Sequence, residues 1–120
     1  MSAARTGAAL ATDVRVPGGR RRFARDLRRL AALVAERAGR PVWISVAVVD
    51  DDEMQALNKR HLQHDYPTDV LSFLMAETPR LEAELLLSAD TARREATARG
   101  HPAYHELVLY AVHGVLHLLG

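Results

Sequence analysis

A chain of 120 residues, 48% hydrophobic and 26% charged, has enough apolar side chains for one core and too many for a disordered polyelectrolyte. It has no cysteine, which excludes disulfides and thiolate metal sites and leaves histidine and carboxylates as metal donors. The net charge of +1 hides an asymmetry: residues 1–40 hold 10 Arg against 3 acids, +7, and residues 41–120 hold 6 Lys and Arg against 12 acids, −6. A basic end of this kind attracts a polyanion such as RNA by neutralising phosphates, although an arginine-rich solvated helix face gives the same count. No run approaches the roughly 20 apolar residues of a membrane span, so the chain reads as cytoplasmic, neither exported nor anchored.

Residues 1–11 are expected to form a disordered tail before a short strand at 12–16, which the turn signal Pro17-Gly18-Gly19 ends. RRFARDLRRLAALVAERAG then places Phe23, Leu27, Leu30 and Val34 at helical spacing, with Arg21, Arg22, Arg25, Arg28 and Arg29 mainly between them. This is an amphipathic helix with a basic outer face, closed by Gly39 and Pro41. VWISVAVVD (42–50) is almost continuously apolar and β-branched, the pattern of a central strand covered on both faces. Asp50 with Glu53 three positions on starts a helix that runs to about Leu62, with Met54 and Leu57 inward. A turn at 66–69 leads into a strand at 70–75, and a further strand follows at 82–88. Ser88 caps a helix that Gly100 ends, and a last helix from Pro102 or Ala103 carries Leu107, Tyr110, Ala111, Gly114 and Leu118 on its apolar side. The order β-α-β-α-β-β-α-α predicts a single α/β (α+β) domain with a small mixed four-stranded sheet and four helices.

The histidines fall at 61, 64, 101, 105, 113 and 117. In the terminal HGVLHLLG, His113 and His117 stand one helical turn apart on the same face, about 6 Å from each other, so both imidazoles reach one ion. HxxxH alone is a weak signal, strengthened by a glycine three residues past the second histidine, where a ligand-bearing helix must stop if a third histidine is to reach the same ion. Zinc held by three histidines and a water keeps an open catalytic position. His105 is about 12 Å further along the helix and reads as a surface residue. His61 and His64 line a cleft or are solvated, and His101 is assigned no role. Zinc proteases of the HExxH kind place their general base directly after the first histidine, where this chain has Gly114. That disfavours a metallopeptidase, which needs another acid such as Glu106 near the metal. The remaining class is a metal-dependent hydrolase acting on phosphodiesters, with the basic helix as an RNA contact.

Three blocks, ALNKRHLQHDYPTDVLSF, EAELLLSADTARREA and ELVLYAVHGVLHLLG, resemble the YbeY-type endoribonucleases, bacterial rRNA maturation factors. PTDVLSF and HGVLHLLG carry the resemblance most specifically. It implies a small α/β fold with a zincin-like metal helix at the C-terminus and one zinc ion held by three histidines. The implied activity is single-strand-specific cleavage of RNA in small-subunit rRNA 3′-end maturation and ribosome quality control, with rRNA and the small subunit as partners and neither DNA nor a membrane involved. By position His113 and His117 match the first two zinc ligands; Asn58, Asp65, Pro67, Thr68, Asp69, Ser72 and Ser88 match motif residues whose structural roles, such as fixing a turn or capping a helix, are as well founded as substrate contact. The family motif continues after LLG with Tyr-Asp-His, whose histidine is the third ligand, so that ligand is expected beyond Gly120 and the domain reads as cut short there. Leu62 stands where many members have a phosphate-contacting Arg, with Lys59 and Arg60 nearby, and Arg25, Arg28, Arg29 and Arg60 are the candidate RNA contacts. The alternative is a noncatalytic ribosome- or RNA-binding module without a complete metal site.

Overall fold

The computed structural model describes residues 7–13, 20–62 and 69–119, with side chains for 21–60 and 69–119. In chain order the elements are β1 (Gly7–Asp13), α1 (Arg20–Ala38), β2 (Val42–Val49), α2 (Asp51–Leu62), β3 (Val70–Ala76), β4 (Leu81–Ser88), α3 (Ala89–Arg99) and α4 (Ala103–Leu119). The strands form one sheet in the order β1-β2-β4-β3, parallel except for β3, which runs antiparallel to β4. Among the described residues no helix is long and apolar enough to cross a membrane.

Two expectations need correction. Residues 7–11 are not tail: they pair in parallel with β2 from Gly7 opposite Val42 to Ala11 opposite Val46. GAALATD has little strand propensity of its own, and the backbone ladder offered by β2 decides its conformation. The strand therefore begins earlier than the 12–16 expected; 14–16 and the turn at 17–19 lie outside the described residues. Nor is β2 covered equally on both faces: the second is buried at Val49, against α2. Val42, Ile44, Val46 and Val48 are buried, whereas Trp43, Ser45 and Ala47 between them are only half-buried. The asymmetry follows from where the helices lie.

On one face α1 contributes Phe23, Leu27, Ala31 and Val34, and α4 contributes Leu107, Tyr110, Ala111 and Val115, to a core completed by β2 and by Leu81, Leu85 and Leu87 of β4. Each large side chain fully withdrawn from water here stabilises the fold by about 1.5–3 kcal/mol. On the other face, among the described residues, α2 packs, with Met54 meeting Val49, Leu71 and Leu86 and with Leu57 beside them. The helix ends follow the expected chemistry. Asp50 Oδ1 accepts from the Glu53 N–H at 2.8 Å, and Ser88 Oγ accepts from the Thr91 N–H at 3.1 Å. Gly100 closes α3 at φ 71°, a left-handed conformation that costs a glycine least.

A close backbone approach joins α4 to the β3–β4 edge. A Cβ on Gly114 would stand 2.7 Å from Ser72 Oγ and 3.0 Å from both Leu85 Cδ2 and Val70 Cγ2. The missing side chain lets the helix backbone lie directly on these three residues. Gly114→Ala is therefore expected to lower unfolding free energy by about 1–3 kcal/mol through overpacking, despite alanine's better helix propensity. Adding Ser72→Ala, which removes the nearest atom, should return part of that loss; urea denaturation of the two singles and the double reads the coupling.

Candidate metal centre and adjoining cleft

The same contact fixes the flank of α4 that faces solvent. With Gly114, Ala111 and Val115 buried, residues about 100° further round the helix must point outward, and His113 and His117 are both exposed. They share one flank, one turn apart. The His113 side chain is 63% exposed, and its Nδ1 lies 3.9 Å from Oδ2 of Asp69, the residue preceding β3. Asp69 is itself anchored, because its carbonyl accepts from the Ser88 N–H at 3.0 Å.

Between α3 and α4 runs a cleft lined by Asp69, Thr91, Glu95, Arg99, Tyr110 and His113. Beneath it is a polar cluster that joins the two helices. Glu106 is completely buried, and its Oε1 accepts from Arg99 Nη1 at 2.9 Å and lies 2.6 Å from His101 Nε2. Its Oε2 and the hydroxyl of Tyr110, one turn along α4, are both buried without a hydrogen-bond partner among the described residues. Burial pushes the Glu106 carboxyl up, but the contacts from His101 and Arg99 outweigh it and hold it below the usual glutamate range. The Tyr110 phenol is raised by burial first and by the Glu106 charge next, so it stays protonated.

These residues were not evident in the sequence. His101 had no assigned role, and Glu106 entered only as a hypothetical peptidase base. The structure commits Glu106 to Arg99 and His101, and Gly114 has no room for the side chain an HExxH site requires. A buried acid on α4 was readable as an anomaly; its partners, seven and five residues earlier across a glycine-ended helix, were not. His105 is exposed and its ring packs edge-on to Tyr104 and His101.

The basic candidates do not line this cleft. Arg25, Arg28 and Arg29 are exposed on α1, which meets the opposite flank of α4 through Val112, Leu116 and Leu119. Arg60 is exposed on α2, across the sheet. The arginine that does line the cleft is Arg99. Asn58 is buried in α2, Ser72 is half-buried beneath Gly114, and Ser88 caps α3 while donating to Asp51 Oδ1 at 3.2 Å. His64, Asp65, Pro67 and Thr68, and the side chains of His61 and Leu62, lie outside the described residues.

The sequence profile of the family described as Endoribonuclease YbeY matches residues 17–120. The chain belongs to the YbeY family. A curated protein of that name from Carboxydothermus hydrogenoformans is 40% identical over 91 residues, which cover 74% of this chain and 64% of the relative. Another, from Syntrophotalea carbinolica, is 45% identical over 83 residues, 64% of this chain and 55% of the relative. The chain thus matches a little over half the length of these relatives. A solution structure of a Thermotoga maritima protein superposes with a TM-score of 0.58 at 23% identity, over 94% of this chain and 71% of that one, and is alike in fold.

Two imidazoles on one exposed helix flank, with a carboxylate beside one of them, are donors that suit a borderline ion such as zinc. Among the described residues no third histidine or carboxylate completes a cluster of three.

The depressed carboxyl of Glu106 has a consequence for stability. A group whose folded pKa lies below its unfolded one stabilises fully above the unfolded value, and that contribution is lost as pH falls through the folded value. Glu106→Gln is expected to lower unfolding free energy by about 1–3 kcal/mol at neutral pH. Its loss of stability on acidification should also be shallower than that of the unaltered chain. Urea titrations from neutral pH down through the glutamate range would show both.

Proposed function

We propose that this chain carries the core of a zinc-dependent, single-strand-specific endoribonuclease that acts on rRNA, in small-subunit 3′-end maturation and ribosome quality control in the cytoplasm. One observation carries the reading: in a chain of the YbeY family, His113 and His117 project from the same exposed flank of α4, with Asp69 at the first of them. In this reading α4 is a zincin-like metal helix, and His113 and His117 hold one zinc ion together with a third histidine of the family motif. When bound, zinc supplies Lewis-acid polarisation of a phosphoryl oxygen and a water of lowered pKa. The chain's own residues do the rest. Gly114 seats the histidine-bearing turn on β3, and the Glu106 cluster holds α3 against α4, so that the cleft keeps its shape. Arg99 is the basic side chain of the cleft wall that can meet a phosphodiester, and it does so while paired with Glu95 and Glu106. Arg25, Arg28, Arg29 and Arg60 are assigned to RNA phosphates outside the cleft, where an extended strand continues past the cleavage position.

Two measurements test this. His113→Ala should abolish cleavage of an rRNA precursor and lower zinc affinity in equilibrium dialysis; full zinc affinity in that variant would remove the reading. Arg25→Glu, Arg28→Glu and Arg29→Glu together should weaken RNA binding and reduce the slope of log affinity against log salt by about 0.7 for each single-strand phosphate that is no longer neutralised. A second reading, a noncatalytic RNA-binding module, is favoured by the separation of the basic α1 face from the histidine cleft. It requires that a chelator leave RNA binding unchanged and that no cleavage occur with zinc restored.

A further inference from the structure

We propose that Asp69 is a positioning residue for His113: its carboxylate takes the Nδ1 hydrogen of the imidazole and so turns Nε2 outward as the metal-binding nitrogen. This rests on the zinc reading above and adds to it which ring nitrogen binds and what selects it.

Both ends of the pair are held by backbone. Asp69 is fixed by the bond from the Ser88 N–H to its carbonyl, and Ser88 is in turn fully buried as the cap of α3. His113 is fixed because its neighbour Gly114 rests on Val70 and Ser72, the first and third residues after Asp69. The start of β3 and the histidine turn of α4 therefore cannot separate without opening the close approach at Gly114. The side chains themselves retain freedom. At 3.9 Å, with His113 63% and Asp69 35% exposed, Nδ1 and Oδ2 are about an ångström beyond hydrogen-bond length, and the proposed bond requires side-chain rotation, which their exposure leaves free. A carboxylate has two oxygens with about four acceptor positions, so Asp69 can serve His113 beside any other bond it makes.

The geometry also favours orientation over ligation. Asp69 faces Nδ1, while a histidine ligating alongside a second histidine one turn away on the same flank reaches outward most easily through Nε2. A carboxylate on the far nitrogen fixes the tautomer, raises the basicity of the ligating nitrogen and limits ring rotation, and removing such a partner weakens metal binding about 10–100-fold. The other charged groups of the cleft do not compete for this nitrogen: Glu106 is bound to Arg99 and His101, and Glu95 lies 3.5 Å from Arg99.

The test uses the full 120-residue chain with histidine labelled by nitrogen-15. Long-range proton–nitrogen spectra of the metal-free protein, at a pH where imidazole is neutral, report which nitrogen of His113 carries the hydrogen; competition with a chromogenic chelator reports zinc affinity. The unaltered chain should show the hydrogen on Nδ1. Asp69→Ala, which keeps the carbonyl that Ser88 needs, should lose that preference and bind zinc about 10–100-fold more weakly. Asp69→Asn, whose amide oxygen still accepts, should fall between, and it replaces the alanine variant if circular dichroism shows that variant unfolded. An unchanged tautomer in Asp69→Ala overturns the proposal, whether affinity is kept or lost; loss of affinity alone would make Asp69 a ligand. If His113→Ala also keeps full zinc affinity, the zinc reading falls as well, whereas loss in His113→Ala alone leaves that reading standing and removes only the role of Asp69.

Discussion

The seating of α4 on the β3–β4 edge at Gly114 is the constraint from which the site's geometry follows. A helix packed on a sheet is ordinarily held off by the side chains that intervene. Here one position has none, and the backbone comes down onto Ser72, Val70 and Leu85. That approach determines which flank of α4 is outward, brings His113 to Asp69, and leaves no room for an acid directly after His113. Packing and chemistry are decided by the same residue.

A second constraint acts at the other end of α4. Glu106 is buried without apolar justification, and it is tolerated because Arg99 and His101 neutralise one of its oxygens. A buried charge with partners of this kind contributes less to net stability than to uniqueness of arrangement, because any alternative placement leaves it unpaired. The cluster joins the end of α3, the Gly100 turn and the first turn of α4, and it fixes the width of the cleft above it. The cleft is therefore bounded by a steric lock on one side and an electrostatic one on the other.

The sheet is uneven in its covering. One face is closed by α1 and α4, and the other is shielded only where α2 meets Val49, Leu71 and Leu86. Exposed Leu74 and Met75 at the far end of β3 reflect that unevenness. The basic face of α1 belongs to the closed side but lies beyond α4 from the histidines, so the arginines and the two imidazoles occupy different surfaces.

The sequence by itself determined the order and type of the elements, the amphipathic face of α1, the caps at Asp50, Ser88 and Gly100, and the pairing of His113 with His117. All of these depend on contacts between residues a few positions apart, where spacing translates directly into geometry. The resemblance in PTDVLSF and HGVLHLLG likewise gave the family from local motifs. What only the tertiary structure decided depends on residues far apart in the chain. The ladder on β2 makes a strand of 7–11, where local propensity suggested a tail. The placement of α2 exposes one side of β2, and the meeting of β3 with α4 sets Asp69 beside His113. His101 and Arg99 acquire their role only when α4 folds back along α3 and presents Glu106 to them. No periodicity in a sequence encodes such a meeting, because it is fixed by which faces have to be buried together.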